Sequence, residues 1–241
     1  MNLLEHKSVK KVMDVIEENN LKDTVIAVVV ISVALAGYGG YRWYTKSRNE
    51  KAFHHMTEVI ESYKKSLEVA KKMRSAGQGS AEDNDPFIDI ELILQASKSA
   101  SSGSSLSPIM LAYEAELVYE KTQDVNKARE LFLQASSKLS SGTFFNELFA
   151  LKAACMGMDS ADEKIKTQGV KELTAFAQDE KSFVYEQAVY TLGVHEFVAG
   201  NVDQAKALWV KIAKKEDATD MFVSPWAKKA AQRVQALGVE I

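Results

Sequence analysis

Side chains suited to metal or nucleophilic chemistry are few: four histidines and one cysteine, Cys155. Three of the histidines bear on the argument. His54 and His55 with Glu58 make the densest cluster, but adjacent side chains on a helix point about 100° apart, so the two rings do not converge on one ion. Cys155 lies in the apolar stretch Leu151–Met158 and reads as a buried, inert thiol. A lone cysteine excludes an intrachain disulfide and suits either an oxidising or a reducing compartment. Gly37-Tyr-Gly-Gly40 lacks the last glycine of a dinucleotide loop, and no G-x-S-x-G, H-E-x-x-H or P-loop occurs. No catalytic constellation, metal, cofactor or small-molecule substrate is expected. A net charge of −3 with dispersed lysines gives no reason to expect nucleic acid. The chemistry left to this chain is recognition. The residues best placed for it are Tyr113, Glu116, Tyr119, Tyr190, His195 and Glu196, provided the chain folds into paired helices that turn them toward a groove.

That proviso is what the second half of the chain supports. Only three prolines and twelve glycines occur among abundant Ala, Leu, Lys and Glu, a composition that favours helix. From Ser107 onward the periodicity predicts helices over about 108–122, 125–140, 143–158, 162–178, 182–199, 202–215 and 223–237, joined by short turns. Ser107-Pro108 is expected to supply an N-cap with proline at the first helical position. No strand-like alternation is found here, and consecutive helical hairpins predict an all-α array.

The array can be set against a tetratricopeptide pattern with a period of about 34 residues. Val189-x2-Leu192-Gly193-x2-Glu196 followed by Ala205-x3-Trp209 fits well. Ala112-x2-Ala115-Glu116-x2-Tyr119 followed by Ala128-x3-Phe132 fits less tightly, and Gly169-x3-Leu173 takes the same small-then-large positions. A small residue lets two helices approach, and a large one a turn later fills the gap to the next pair. Three such pairs and a closing helix from Ser224-Pro225-Trp226 to Leu237 make an array with a concave face. The first helices of the pairs should line it.

The first half of the chain is organised differently. It is uncharged from Thr24 through Tyr41, which meets the lower working limit of about 18 residues for crossing a bilayer. Arg42 can snorkel, and Trp43 and Tyr44 form an interfacial aromatic belt. An uncleaved anchor over 24–44 is expected, after a tail over 1–23 whose Val9, Val12, Met13 and Ile16 share a helical face. Within the anchor Ser32, Ala36 and Gly40 form a small-residue stripe that suits a partner helix. Flanking cations balance (Lys7, Lys10, Lys11 and Lys22 against Arg42, Lys46, Arg48 and Lys51), so charge leaves the orientation open. Residues 45–106 read as a linker helix and lead-in. Phe53, Met56, Ile60, Tyr63, Leu67 and Ala70 form a stripe, a short helix follows at 87–96, and loops cover 76–86 and the serine-rich 97–107. Residues 107–241 hold the repeats.

The whole layout resembles the YfgM family, the ancillary subunits of the bacterial SecYEG translocon. The tail Ser8–Asn20, the anchor exit Gly39-Gly40-Tyr41-Arg42-Trp43-Tyr44 and a long helix leading into degenerate repeats carry the likeness. The loops at 76–86 and 97–107 are longer than that family's pattern. The resemblance implies a single-pass inner-membrane protein with a cytoplasmic N-terminus and a periplasmic domain. It implies as partners the SecYEG channel and a membrane-anchored chaperone of the PpiD kind. The alternative is an assembly or coordination factor of the same fold for another envelope or cell-division complex.

Overall fold

The computed structural model describes residues 21–75, 85–213 and 224–238, with side chains from residue 37 onward except residue 39. Among the described residues the chain is all-α, with nine helices and no strand. They are α1 (Leu21–Ser75), α2 (Ile88–Ser101), α3 (Ser107–Thr122), α4 (Val125–Ser137), α5 (Phe144–Met158), α6 (Glu163–Gln178), α7 (Tyr185–Val198), α8 (Val202–Ala213) and α9 (Pro225–Ala236). The chain divides into two units, Met1–Lys51 and Ala52–Ile241.

In the first unit the backbone is helical from Leu21. Among the described residues no helix is long and apolar enough to cross a membrane. The side chains of Thr24–Ala36, most of the uncharged run, lie outside them, as do the tail helix, Ser32 and Ala36. Gly40 is exposed, with open space where a Cβ would stand.

In the second unit the α1 stripe is rotated from the expected one. Ala52, Val59, Ser66 and Ala70 are buried and Met56 and Tyr63 half-buried, whereas Phe53 is exposed. These positions alternate in steps of three and four, the seam spacing of packed helices. Val59 and Ala70 join Phe87, Ile90 and Leu94 of the α2 region and Met110 and Leu117 of α3 in one core cluster. The serine-rich stretch is also different from the expected loop. Helix α2 runs on to Ser101, and Ser97, Ser101 and Ser104 are buried. Small hydroxyl side chains fit a tight interior where larger ones would not, so composition alone hides this helical end. The Leu106 amide donates to Ser104 Oγ at 3.3 Å, α3 opens at Ser107 itself, and Ser107 is not the cap that Pro108 suggests.

From α3 onward each helix packs on the next, and α9 also on α7. Asp124, Asp162 and Ser224 cap α4, α6 and α9 by accepting amide hydrogens. The small–large pairs stand where the periodicity puts them: Ala128 and Phe132, Gly169 and Leu173, Ala205 and Trp209 are all buried. Backbone meets backbone at Gly169, where a Cβ would stand 2.7 Å from the Ala154 carbonyl oxygen and 2.7 Å from the Met158 nitrogen of α5. At the next pair Gly193 makes room for Trp209, whose Nε1 donates to the Tyr190 carbonyl at 3.2 Å.

One half-buried cation ties three helices together. Arg129 of α4 forks onto Glu172 of α6, at 2.9 and 3.0 Å, and donates to the Ala153 carbonyl of α5 at 2.7 Å. Burial of Glu172 works to raise its pKa. The hydrogen bonds from Arg129 and Gln168 and the attraction of the guanidinium outweigh that and hold it below the ordinary glutamate value.

Two expected outcomes follow from these contacts. Gly169→Ala should lower stability by about 1–3 kcal/mol in urea unfolding, because rigid backbone blocks the new methyl. That exceeds the gain of about 0.5–1 kcal/mol from replacing a helical glycine. A variant as stable as wild type would sink the close-approach argument. A carboxyl whose pKa is lowered on folding stabilises above its unfolded value and loses that contribution as pH falls through the folded one. Glu172→Gln should therefore trail wild type at neutral pH, with the gap closing from about pH 5 toward pH 3. A gap independent of pH would deny the carboxylate that role.

Candidate functional site

Helices α1, α3, α4 and α5 leave a groove of about 520 Å³ in the second unit. Its apolar surface comes from Ile60 and Leu67 of α1, Ile109 and Ala112 of α3, Phe132 of α4, and Phe145, Leu148 and Phe149 of α5. Its polar groups are Tyr63 and Lys64 of α1, Tyr113, Glu116 and Glu120 of α3, and Lys152 of α5. The size and the sparse polar groups suit a ligand segment held by apolar contact and oriented at a few points.

Both acids of the wall are paired before any ligand arrives, while Lys64 is exposed. Lys152 bonds Glu116, with its ammonium 5.4 Å from the centre of the Phe132 ring. Arg74 meets Glu120 at 2.9 Å. Tyr63 and Tyr113 meet edge to face, with ring centres 5.5 Å apart. Burial pushes both hydroxyls above the ordinary tyrosine value, and Glu116 adds to the rise in each. Both tyrosines therefore remain neutral hydrogen-bond donors at physiological pH.

The groove continues outward as a run of phenylalanines. Ring centres lie 6.5 Å apart for Phe132 and Phe149, 5.9 Å for Phe149 and Phe145, 5.3 Å for Phe145 and Phe144, and 6.3 Å for Phe144 and Phe183. Burial falls along it: Phe132 is fully buried, Phe144 and Phe145 are partly exposed, and Phe183 is 65% exposed. The end of the run is fixed in place. Glu147 of α5 accepts the Phe183 amide at 2.7 Å and the Ser182 hydroxyl at 2.9 Å. The protein thus anchors the backbone of a residue whose ring it leaves in water.

The six residues singled out in the sequence fall in three places. Tyr113 and Glu116 line the groove. Tyr119 does not; it lies in the last turn of α3, where its carbonyl accepts from the Gln123 amide and side chain. The α7 residues lie among helices α7 to α9. Tyr190 packs against Trp209 and Trp226, with ring centres 6.3 and 5.6 Å away. His195 Nδ1 is buried without a hydrogen-bond partner among the described residues, and Glu196 accepts from Asn201 in the α7–α8 turn at 2.7 Å. The groove also uses residues the repeat pattern does not point to, chiefly Tyr63, Phe145 and Lys152. The signal available for Phe145 was the Phe144-Phe145 doublet just past the Ser141-Gly142 turn, and for Tyr63 its place in the α1 stripe.

Elsewhere, His54 and His55 each reach Glu58, at 3.4 Å, with ring centres 6.0 Å apart. Among the described residues no three His, Cys, Asp or Glu side chains are placed to hold a metal ion. Burial, with a smaller contribution from Asp159, pushes the Cys155 thiol up to about 11, so little thiolate forms near neutral pH. Comparison with family models, curated proteins and solved structures finds no match to this chain.

If the exposed ring serves recognition, Phe183→Ser should leave stability within about 0.5 kcal/mol of wild type. Phe132→Ala at the buried end should cost about 3–5 kcal/mol. Urea unfolding of both variants checks this, and a large loss from Phe183→Ser would make that ring structural.

Proposed function

We propose that this chain is a membrane-anchored protein-interaction scaffold, an ancillary subunit of the SecYEG translocon that assists hand-over to a periplasmic chaperone of the PpiD kind. The observation that carries the scaffold reading is the apolar groove running out into a phenylalanine edge, with both of its acids already paired. A groove built for catalysis would hold a convergent, reactive polar set; this one offers contact area and two neutral hydroxyl donors. The repeats are tetratricopeptide-like, supported by the buried small–large pairs at Ala128, Gly169 and Ala205. Stacked hairpins of that kind grip a helix or an extended segment of a partner along their concave side.

The channel and the chaperone come from the resemblance in layout, and the anchor from the uncharged run Thr24–Tyr41. In this reading the N-terminus is cytoplasmic, the repeat unit is periplasmic, and Ser32, Ala36 and Gly40 face a partner helix in the bilayer. Tethering raises the effective concentration of a weak groove beside the channel without any new contact.

Photo-crosslinking in living cells, with one probe at Ala36 and another at Tyr113, tests both halves. Channel subunits captured from Ala36, and chaperone or exported polypeptide from Tyr113, are the expected adducts. Efficient capture of other envelope proteins alone would replace this reading by the assembly-factor one. Failure at Tyr113 with success at Ala36 would sink the groove and leave the anchor.

A further inference from the structure

The segment where α1 leaves the uncharged run carries two rings of side chains in a fixed order. Tyr38, Tyr41, Trp43 and Tyr44 are 64%, 68%, 73% and 53% exposed. At about 100° per residue they point to all sides of the helix. Their positions span about 9 Å along its axis. Arg42 stands within this ring, between Tyr41 and Trp43, and Lys46, Arg48 and Lys51 follow it, the four cations also spread around the circumference. No carboxylate occurs between Asp23 and Glu50, so four cations face a single acid in this stretch. Glu50 meets Lys46 only at 3.9 Å. Arg48 folds back on the belt, with its guanidinium 5.3 Å from the Tyr44 ring centre and a 3.3 Å hydrogen bond to the Tyr44 hydroxyl.

A docked protein covers one side of a helix. It would leave most of either ring in water. Only surroundings that are the same in every direction satisfy a full circle of aromatics and a circle of cations centred further along the helix. The order apolar, aromatic, cationic is the order met on leaving a bilayer whose surface is negative. The mean positions of the two rings differ by about 8 Å along the axis, which suits hydroxyls and indole at headgroup depth and cations at the phosphates.

We infer that residues 38–51 form a collar for anionic phospholipid headgroups, binding phosphatidylglycerol-type lipid in preference to zwitterionic lipid. The inference rests on the anchor proposed above and goes beyond it, since an anchor alone needs no lipid preference. Its chemistry is charge pairing of Arg and Lys with lipid phosphate, with the aromatic ring setting depth.

The test uses the full chain in phosphatidylcholine bilayers with trace spin-labelled phosphatidylglycerol or phosphatidylcholine. The motionally restricted fraction reports lipid bound at the protein. The expected result is an association with phosphatidylglycerol about two- to fourfold stronger at low salt, falling toward parity at high salt. The Arg42→Gln, Lys46→Gln, Arg48→Gln, Lys51→Gln variant should show parity throughout. Wild-type salt dependence supplies a reading that needs no variant. Equal association of both lipids with wild type overturns the inference, as does a preference that the variant retains. In the first case, a photoprobe at Ser47 that captures an acidic protein instead of lipid reassigns the cations. Alkaline carbonate extraction tests the anchor separately: release of the chain from membranes sinks the anchor and the collar with it, whereas a retained chain without lipid preference sinks the collar alone.

Discussion

Close helix approach at small residues is the constraint on which the rest of the second unit depends. A helical hairpin cannot bury its apolar stripe alone, so each pair must lie against the next with little between them. Gly169 removes the side chain where α6 meets the α5 backbone, and its neighbour across the interface is Gly157, also without a side chain. With the backbones that near, Leu173 and Phe132 reach the interior and are fully buried. The same proximity brings the Ala153 carbonyl within reach of Arg129, which lies against Gly157 and turns outward to Glu172. A larger residue at either glycine would push against this guanidinium or against the backbone it bonds. Packing and the half-buried Arg129–Glu172 ion pair are therefore a single device.

The same geometry creates the groove. Where α1 lies beside α3 and α5, long side chains with polar tips replace the small residues of the tight interfaces. Tyr63, Tyr113, Glu116 and Lys152 hold an open space between apolar walls. Leaving a charge unpaired there would be costly, because a half-dry wall solvates it poorly. Each acid in the wall accordingly has a basic partner, from α5 for Glu116 and from α1 for Glu120.

Helix positions were legible because the signals are local. Asp124, Asp162 and Ser224 mark helix starts, and a small residue followed by a large one a turn later marks a paired interface. What could not be read is where order arises from contacts distant in sequence. Ser97, Ser101 and Ser104 look like a solvated linker, yet all three are buried, the first two in a helix, by neighbours that no local window contains. Phe53 fits the apolar stripe of α1 by period, but the face actually buried is set by α2 and α3 and takes Ala52 and Val59 instead. The site divides in the same way. Tyr113 and Glu116 follow from the rule that first helices line the groove. Tyr63 belongs to a helix outside the repeats, and its place opposite Tyr113 depends on a helix–helix contact across some fifty residues of chain.

Phe183 brings these strands together. Exposing a phenylalanine normally gains nothing, and a chain avoiding aggregation would hold such a ring loosely or replace it. Here a carboxylate from α5 spends its hydrogen bonds on the Phe183 amide and the Ser182 hydroxyl, leaving the ring at the end of a row that begins in the core. A side chain already held in position gives up less freedom when a partner covers it, so more of the apolar contact appears as affinity. The partner that profits most contributes large apolar side chains at intervals, one over the exposed ring and others in the groove behind it. An amphipathic helix or an extended apolar segment meets that description, and a compact polar surface does not.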